Sequence, residues 1–450
     1  MLTMENRDLQ VIILAAGKGS RMKSDIPKPL HLVLDKPMIN WVIDTASKLN
    51  PKKIKVVVGP NSIIEKTISN PKIEFVTQAK QLGDGDAAKT GLSNDNIQTT
   101  LILNADTPLI DINDLKKVIK LNSSDANVLS AINEDPFGKG RIYSDSNNHL
   151  QIVEEKDANA EQKKIKIIST GVFAFKTTEL KNALKKINTN NKAGELYLAD
   201  AFNLMTSSNF VNTDNHEQSS GANNQLQLSN LNKIAKRNII EKHLSNGVIM
   251  DDFDSISIYP EVKIAAGTTI MSNVTIKGDT KIGSNAIIDI DSYIDNSIIG
   301  NDVKIFKSVV KDSKIKNGAN IGPMAHIRSN SEIDENVFVG NYVEVARAKI
   351  GENTKVGHLS FVGDATIGKN VNIAAHTTFV NHDGNQKQKT IIGDDSFIGS
   401  GTKLVAPLKL GKKTITAAGS VITKNIPDKA LGIARERQTN KDNYWDKFKK

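Results

Sequence analysis

A chain of 450 residues exceeds one ordinary domain and points to two or three. Apolar residues make up 38% and aromatics 5%, which calls for an aliphatic core of Ile, Val and Leu, and the absence of Cys excludes a disulfide framework or a thiolate metal site. The net charge of +9 arises from 59 Lys and Arg interspersed with 50 acids, without an aromatic-interleaved basic patch, which argues against nucleic acid and leaves phosphorylated small molecules as natural partners.

The opening stretch MLTMENRDLQ carries no apolar signal segment, and nowhere do ~18 apolar residues run together, so a cytoplasmic protein without membrane insertion is expected. Residues 11–14 read as a buried strand that feeds a glycine loop, ILAAGKGSRMKSDIPKPL, at 13–30. A dinucleotide site requires G-x-G-x-x-G and an acid about twenty residues on. Here Gly17 and Gly19 are followed by Ser20, Arg21 and Met22, and the Walker pattern is also missing. The loop therefore reads as a cradle for a nucleoside triphosphate, with backbone N–H groups around the phosphates and Arg21 and Lys28 supplying fixed positive charge.

Further short apolar runs at 54–58, 75–77, 101–103 and 128–132, separated by helical stretches such as 39–49, predict a Rossmann-like α/β unit with a mostly parallel sheet. In "NADTPLI", Asp106 falls just past a strand end, a place suited to a hard-oxygen ligand for Mg2+; an Asx-turn before Pro108 is the plainer reading of the same residue. The polar run 212–224 predicts an exposed loop. Residues 225–247 then predict one helix, with Leu228, Leu231, Ala235 and Ile239 at helical spacing and Gly247 as its stop.

From Ile258 the period changes. Ile258, Ile264, Ile270, Ile276, Ile282, Ile288 and Ile294 recur every six residues, the phase slips at Ile299, and the beat resumes from Ile315 through Ile321, Ile327, Ile333, Val339 and Val345 to Val356, Val362, Ile392, Ile398, Leu404 and Leu410. A six-residue aliphatic beat with neighbouring glycines predicts a parallel β-helix whose stacked coils each point one aliphatic side chain inward per short strand. Four of the eight histidines, His326, His358, His376 and His382, lie in this region at different phases and without H-x3-H spacing, which argues against a zinc cluster.

In their order, "LAAGKGSRMKSDIPKPLH", "QAKQLGDGDA", "NADTPLI", "GKGRI", "IVEEKDA", "STGVFAF", "GELYLAD" and "GANNQLQLS", followed by the hexapeptide coil and "KVGHLSFVGDA", resemble one family almost end to end. This is the family of bifunctional N-acetylglucosamine-1-phosphate uridylyltransferase and glucosamine-1-phosphate N-acetyltransferase. The resemblance implies a uridylyltransferase domain at 1–224, a helical arm at 225–247, and at 248–450 a left-handed β-helix with acetyltransferase activity and a C-terminal tail. It implies that acetyl-CoA acetylates glucosamine-1-phosphate and that the N-acetylglucosamine-1-phosphate formed is coupled to UTP, yielding UDP-N-acetylglucosamine for the cell wall.

By the same carry-over, Leu14, Ala15, Ala16 and Gly17 cradle the nucleotide, Lys28 meets phosphate, and Gln78 and Gly83 read the uracil. Asp106 and Asn223 hold Mg2+, and Gly140, Glu154 and Asn223 hold the sugar. In the coil, His358 is the general base, Arg328, Asn372 and Asn381 meet the sugar phosphate, and Ala375, Ser400, Ala418 and Arg435 meet acetyl-CoA, in sites formed between neighbours of a homotrimer. Asp84, Asp86, Ala105 and Ser169 stand where the family has Thr, His, Gly and Asn, and Ala346, Phe361, His376 and His382 where it has Lys, Tyr, Gly and Tyr. A uridylyltransferase with an inactive coil, or a non-catalytic scaffold, are the readings these departures leave beside the bifunctional one.

Overall fold

The computed structural model describes residues 8–448 apart from Lys18, Ser69, His216 and Gln218. Two units divide the chain, Met1–Ala235 and Lys236–Lys450. In the first, strands β1 (Leu9–Leu14), β2 (Lys53–Val58), β3 (Ile73–Thr77), β4 (Thr99–Asn104), β5 (Ala126–Ile132), β6 (Arg141–Ser144), β7 (Leu150–Val153), β8 (Ile167–Lys176) and β9 (Ser208–Asn212) form one sheet. Its order is β9-β5-β8-β4-β1-β2-β3, with the β6–β7 hairpin branching from β8.

All pairs along the main path are parallel except those of β8, which runs antiparallel to β4 and β5. The strands read from apolar runs lie inside β1 to β5. The reversal at β8 was not legible, because a continuous buried run such as IISTGVFAFK carries no direction.

Burial on both faces explains those runs: Val11, Ile12 and Ile13 of β1 are all sealed from solvent, Val11 and Ile13 in one cluster and Ile12 in the other. Helix α1 (Met38–Ser47) packs Ile39, Val42, Ile43 and Ala46 into the first cluster. On the other side, Ala87 and Ala88 of α2 (Asp84–Gly91) pack with Phe202 of α3 (Leu198–Asn203). The long helix α4 (Gln225–Ser245) starts where the sequence placed it, and its Leu228, Leu231 and Ala235 are buried with Met22, Val33 and Met38.

The second unit is a left-handed parallel β-helix of three sheets, here called faces one, two and three, with eleven, ten and nine short strands among the described residues. Successive strands go to successive faces, so the coil is three-sided. Every aliphatic of the six-residue beat is buried inside it in one continuous core. A full turn takes 18 residues where Ile270 stacks on Ile288, 17 where Ile282 stacks on Ile299, and 16 where Ile299 stacks on Ile315. The phase slip is therefore a shortened corner; left-handed Asn296, Lys307 and Asp312 turn three such corners. Between Ile373 and Ile398 one turn takes 25 residues, because the loop holding His382 leaves between the strands Thr378–Val380 and Thr390–Ile392.

Candidate active sites

In the first unit the carboxyl ends of β1 to β4 splay around the glycine loop, as expected for a ligand site in an open α/β sheet. Backbone ties hold the strand exits: Ala15 N–H donates to Val57 O at 2.8 Å, Ala105 N–H to Leu14 O at 3.1 Å, and Gln78 N–H to Val58 O at 2.8 Å. They bound a cleft of about 980 Å³. Its walls include Leu14, Ala15, Ala16, Gly17, Arg21, Lys28, Gln78, Gly83, Asp106, Glu154 and Asn223, which the sequence had singled out from stretches up to two hundred residues apart. Gly140 is absent from the walls. It backs Glu154 instead, because a Cβ there would stand 3.0 Å from Glu154 Oε1.

The phosphate end is the most closely built part. Lys28 Nζ donates to Asp106 Oδ2 and, at 2.6 Å, to Asn223 Oδ1, which also accepts from Arg21 Nη2 at 3.0 Å. Asn223 is held in turn by the first turn of α4, its N–H donating to Gln227 Oε1 at 2.7 Å. Because one ammonium bridges both side chains, the Asp106 carboxylate and the Asn223 amide oxygen converge on one cation-sized position. Two hard oxygens suit a divalent cation that keeps waters and phosphate oxygens as its other ligands. Among the described residues no group of three or more His, Asp or Glu side chains offers another metal site.

Several lining residues were not anticipated. Gln81 donates to Ala16 O, and Asn104 lies so close to Gly171 that any Cβ on that glycine would collide with its amide. Lys139, beside the cleft and not part of its wall, is the more consequential omission. Its ammonium is pulled below the usual range by burial, and it feels Asp106, Lys28, Arg21 and Glu154, which adds a cation to the phosphate end. It sits in the turn after Pro136, anchored by buried Arg141, which donates to Lys139 O and pairs with Glu155 at 2.6 Å. A lysine between two glycines in "GKGRI" was the available signal.

The opposite end of the cleft is acidic. Burial, reinforced by Asp84, Asp200 and Asp157, pushes the Glu154 carboxyl up to about 7. Asp84, hemmed in by the cleft walls while open to its solvent, rises to about 6 through burial, and N–H donation from Leu198 and Gly85 restrains the shift. Ser169 lies at the back of this wall, its N–H donating to Gly140 O at 2.9 Å, and Ala105 is buried.

In the coil, register places His358 opposite Asn341, and the same alignment carries on through Ala375, Ser400 and Ala418 on successive turns. These residues therefore line one edge, between faces one and two. His358 Nδ1 bonds Asn341 Oδ1, which fixes the ring's orientation along that edge. Arg435 follows the last face-one strand, Leu431–Gly432, and is exposed.

The three sugar-phosphate candidates are spread out. Arg328 projects from face two and pairs with Glu344 at 2.5 Å, Asn381 follows the face-two strand Thr378–Val380 and donates to Asp364, and Asn372 is exposed on face one. A single coil thus does not gather them. Ala346 is fully buried, and Phe361 folds its ring against Gly363, two residues on in the same strand. Arg347 occupies a left-handed corner with φ 53° and grips Asp364 with two bonds of 2.8 and 2.9 Å. It is committed to that carboxylate.

Comparison with known proteins agrees with both halves. Residues 11–169 match the MobA-like NTP transferase domain family. The chain is 40% identical to "Bifunctional protein GlmU" of Streptococcus agalactiae serotype V over 448 residues, covering 97% of each. It is 42% identical to the protein of the same name from Caldanaerobacter subterraneus subsp. tengcongensis, again with 97% of each covered, and 39% identical to that of Shouchella clausii, covering 97% of this chain and 98% of the relative. The chain belongs to the GlmU family of bifunctional uridylyltransferases and acetyltransferases.

Proposed function

We propose that this chain makes UDP-N-acetylglucosamine in two steps, acetylating glucosamine-1-phosphate from acetyl-CoA and then transferring the uridylyl group of UTP to N-acetylglucosamine-1-phosphate. The observation that carries the second step is the convergence of Arg21, Lys28, Asp106 and Asn223 at the phosphate end of the cleft. No protein nucleophile is required. A phosphate oxygen of the sugar substrate attacks the α-phosphorus of UTP in line, the α–β bridge breaks, and pyrophosphate leaves with the bonding pair.

Leu14 to Gly17 hold the triphosphate against the loop while Gln78 and Gly83 meet the base and Glu154, backed by Gly140, meets the sugar. Lys28 and Arg21 neutralise charge that builds on the leaving group, and Lys139 adds to that field. Asp106 and Asn223 would hold a divalent cation such as Mg2+, which would supply Lewis-acid charge neutralisation.

For the first step, His358 takes a proton from the substrate ammonium so that the free amine attacks the thioester carbonyl, and the thiolate of CoA leaves with the bonding pair. Asn341 keeps the imidazole in place. Ala375, Ser400 and Ala418 offer a narrow edge for the CoA chain, with Arg435 near its end. Arg328, Asn372 and Asn381 meet the sugar phosphate from neighbouring copies of a homotrimer. Both steps draw on cytoplasmic metabolites, and among the described residues no helix is long and apolar enough to cross a membrane.

Two assays test the pair. Mg2+-dependent pyrophosphate release from UTP must require N-acetylglucosamine-1-phosphate, and thiol release from acetyl-CoA must require glucosamine-1-phosphate and vanish in His358→Ala. Pyrophosphate release that persists unchanged in Asp106→Ala would overturn the metal assignment.

A further inference from the structure

Resting on the reading of the cleft as a UTP site, we infer that Asp86 sets the base preference by locking the Gln78 amide so that only its carbonyl faces the nucleobase. Gln78 follows β3, is buried, and lines the cleft. Its Nε2 donates to Asp86 Oδ2 at 2.8 Å and to Gly83 O at 3.1 Å. A backbone carbonyl accepts only, and so does an ionised carboxylate. Flipping the amide would set Oε1 against two acceptors and leave all three without a proton between them.

The orientation is therefore imposed by neighbours, and Gln78 Oε1, which accepts from no group among the described residues, is the atom left for a ligand. Asp86 stands behind Gln78 in the first turn of α2, so it is a positioning residue. Thr90 Oγ1 donates to its backbone carbonyl at 2.9 Å, which helps keep that turn in place.

An acceptor facing the base edge favours a ring that presents N–H there. Uracil presents N3–H. Cytosine carries a bare acceptor at the same ring position, which would meet Oε1 lone pair to lone pair. A glutamine free to flip could serve either ring, and Asp86 removes that freedom. The selection lies in a side chain that never touches the nucleotide.

The test compares UTP with CTP in pyrophosphate release with N-acetylglucosamine-1-phosphate, for the whole protein and for Asp86→Asn, Asp86→Ser and Asp86→Glu. Asparagine and serine can each donate or accept, so they leave Gly83 O as the one obligate acceptor and weaken the lock, and the UTP-to-CTP ratio of kcat/KM is expected to fall about tenfold in either. Glutamate keeps an acceptor and should hold the ratio closer to that of the unaltered protein. A merely structural role for Asp86 would lower both nucleotides together and leave the ratio in place, and that result overturns the inference. If Asp86→Asn does not fold, the serine variant supplies the same readout. Failure of the unaltered protein to use UTP would overturn the reading of the cleft itself, whereas normal UTP use with unmoved ratios refutes only the role of Asp86.

Discussion

Replacing Lys28 by Met removes the ammonium while keeping a similar stem, and the structure predicts two separable effects. Toward UTP, a charge-assisted contact to phosphate contributes about 1.5 to 3 kcal/mol, so kcat/KM should fall about ten- to 150-fold. Toward stability, the ion pair sits in the cleft with 15% and 24% of its side chains exposed, and losing the lysine leaves Asp106 without its partner cation. That costs about 1 to 3 kcal/mol.

In a unit of this size each kcal/mol moves Tm by about 2 to 4 °C. The deficit should be conditional, because a divalent cation on Asp106 and Asn223 replaces the missing charge. Thermal unfolding of the first unit, followed with EDTA and with millimolar MgCl2, should show a Tm loss that Mg2+ largely restores. An equal loss in both buffers, or a kcat/KM within threefold of the unaltered protein, would refute the shared-charge account of this corner.

The acidic end of the cleft gives a pH prediction. The Glu154 carboxyl is raised to about 7, so the native state holds a proton that the unfolded chain releases near its ordinary value, and stability falls as pH climbs between those two points. Glu154→Gln, permanently neutral, should therefore gain stability over the unaltered protein at pH 8 and little at pH 4.5, as read from urea midpoints. Gly83 has φ +124°, and a Cβ there would lie 2.4 Å from Leu196 O; Gly83→Ala should lose about 1 to 3 kcal/mol in the same measurement, along with UTP turnover. In the coil, Ile327 is fully buried between Val310 and Val345, so Ile327→Ala should cost about 2 to 5 kcal/mol in unfolding of the second unit while leaving pyrophosphate release intact.

How far each feature could be read from sequence follows from how local its cause is. The coil was legible because an interior only one side chain wide demands an aliphatic at each inward position, and even the slip at Ile299 is the plain consequence of a shorter corner. Asp106 and the loop at Gly17 were legible because strand ends and phosphate loops carry their chemistry in adjacent residues. Lys139 was not, since its place beside the cleft depends on the Arg141–Glu155 anchor of its turn. The Asp86–Gln78 contact depends on a helix start meeting a strand end, and periodicity says nothing about that meeting.

The dispersion of the coil's own candidates is the strongest reason to look beyond one chain. Arg328 follows inward Ile327 and points out of face two, and Asn372 precedes inward Ile373 and points out of face one. Outward side chains on two sides of a three-sided coil diverge, so they cannot close on one small sugar phosphate unless face one of one copy meets face two of another. Arg328→Ala and Asn372→Ala should then each abolish thiol release alone, yet complement when mixed. After co-refolding equal amounts into mixed oligomers, a site is intact when its Arg328 comes from one variant and its Asn372 from the other, which random assembly provides in about a quarter of sites. Thiol release near that fraction of the unaltered rate supports a shared site. No recovery, in mixtures shown by tagged copies to have exchanged subunits, would refute a site built from Arg328 of one copy and Asn372 of another.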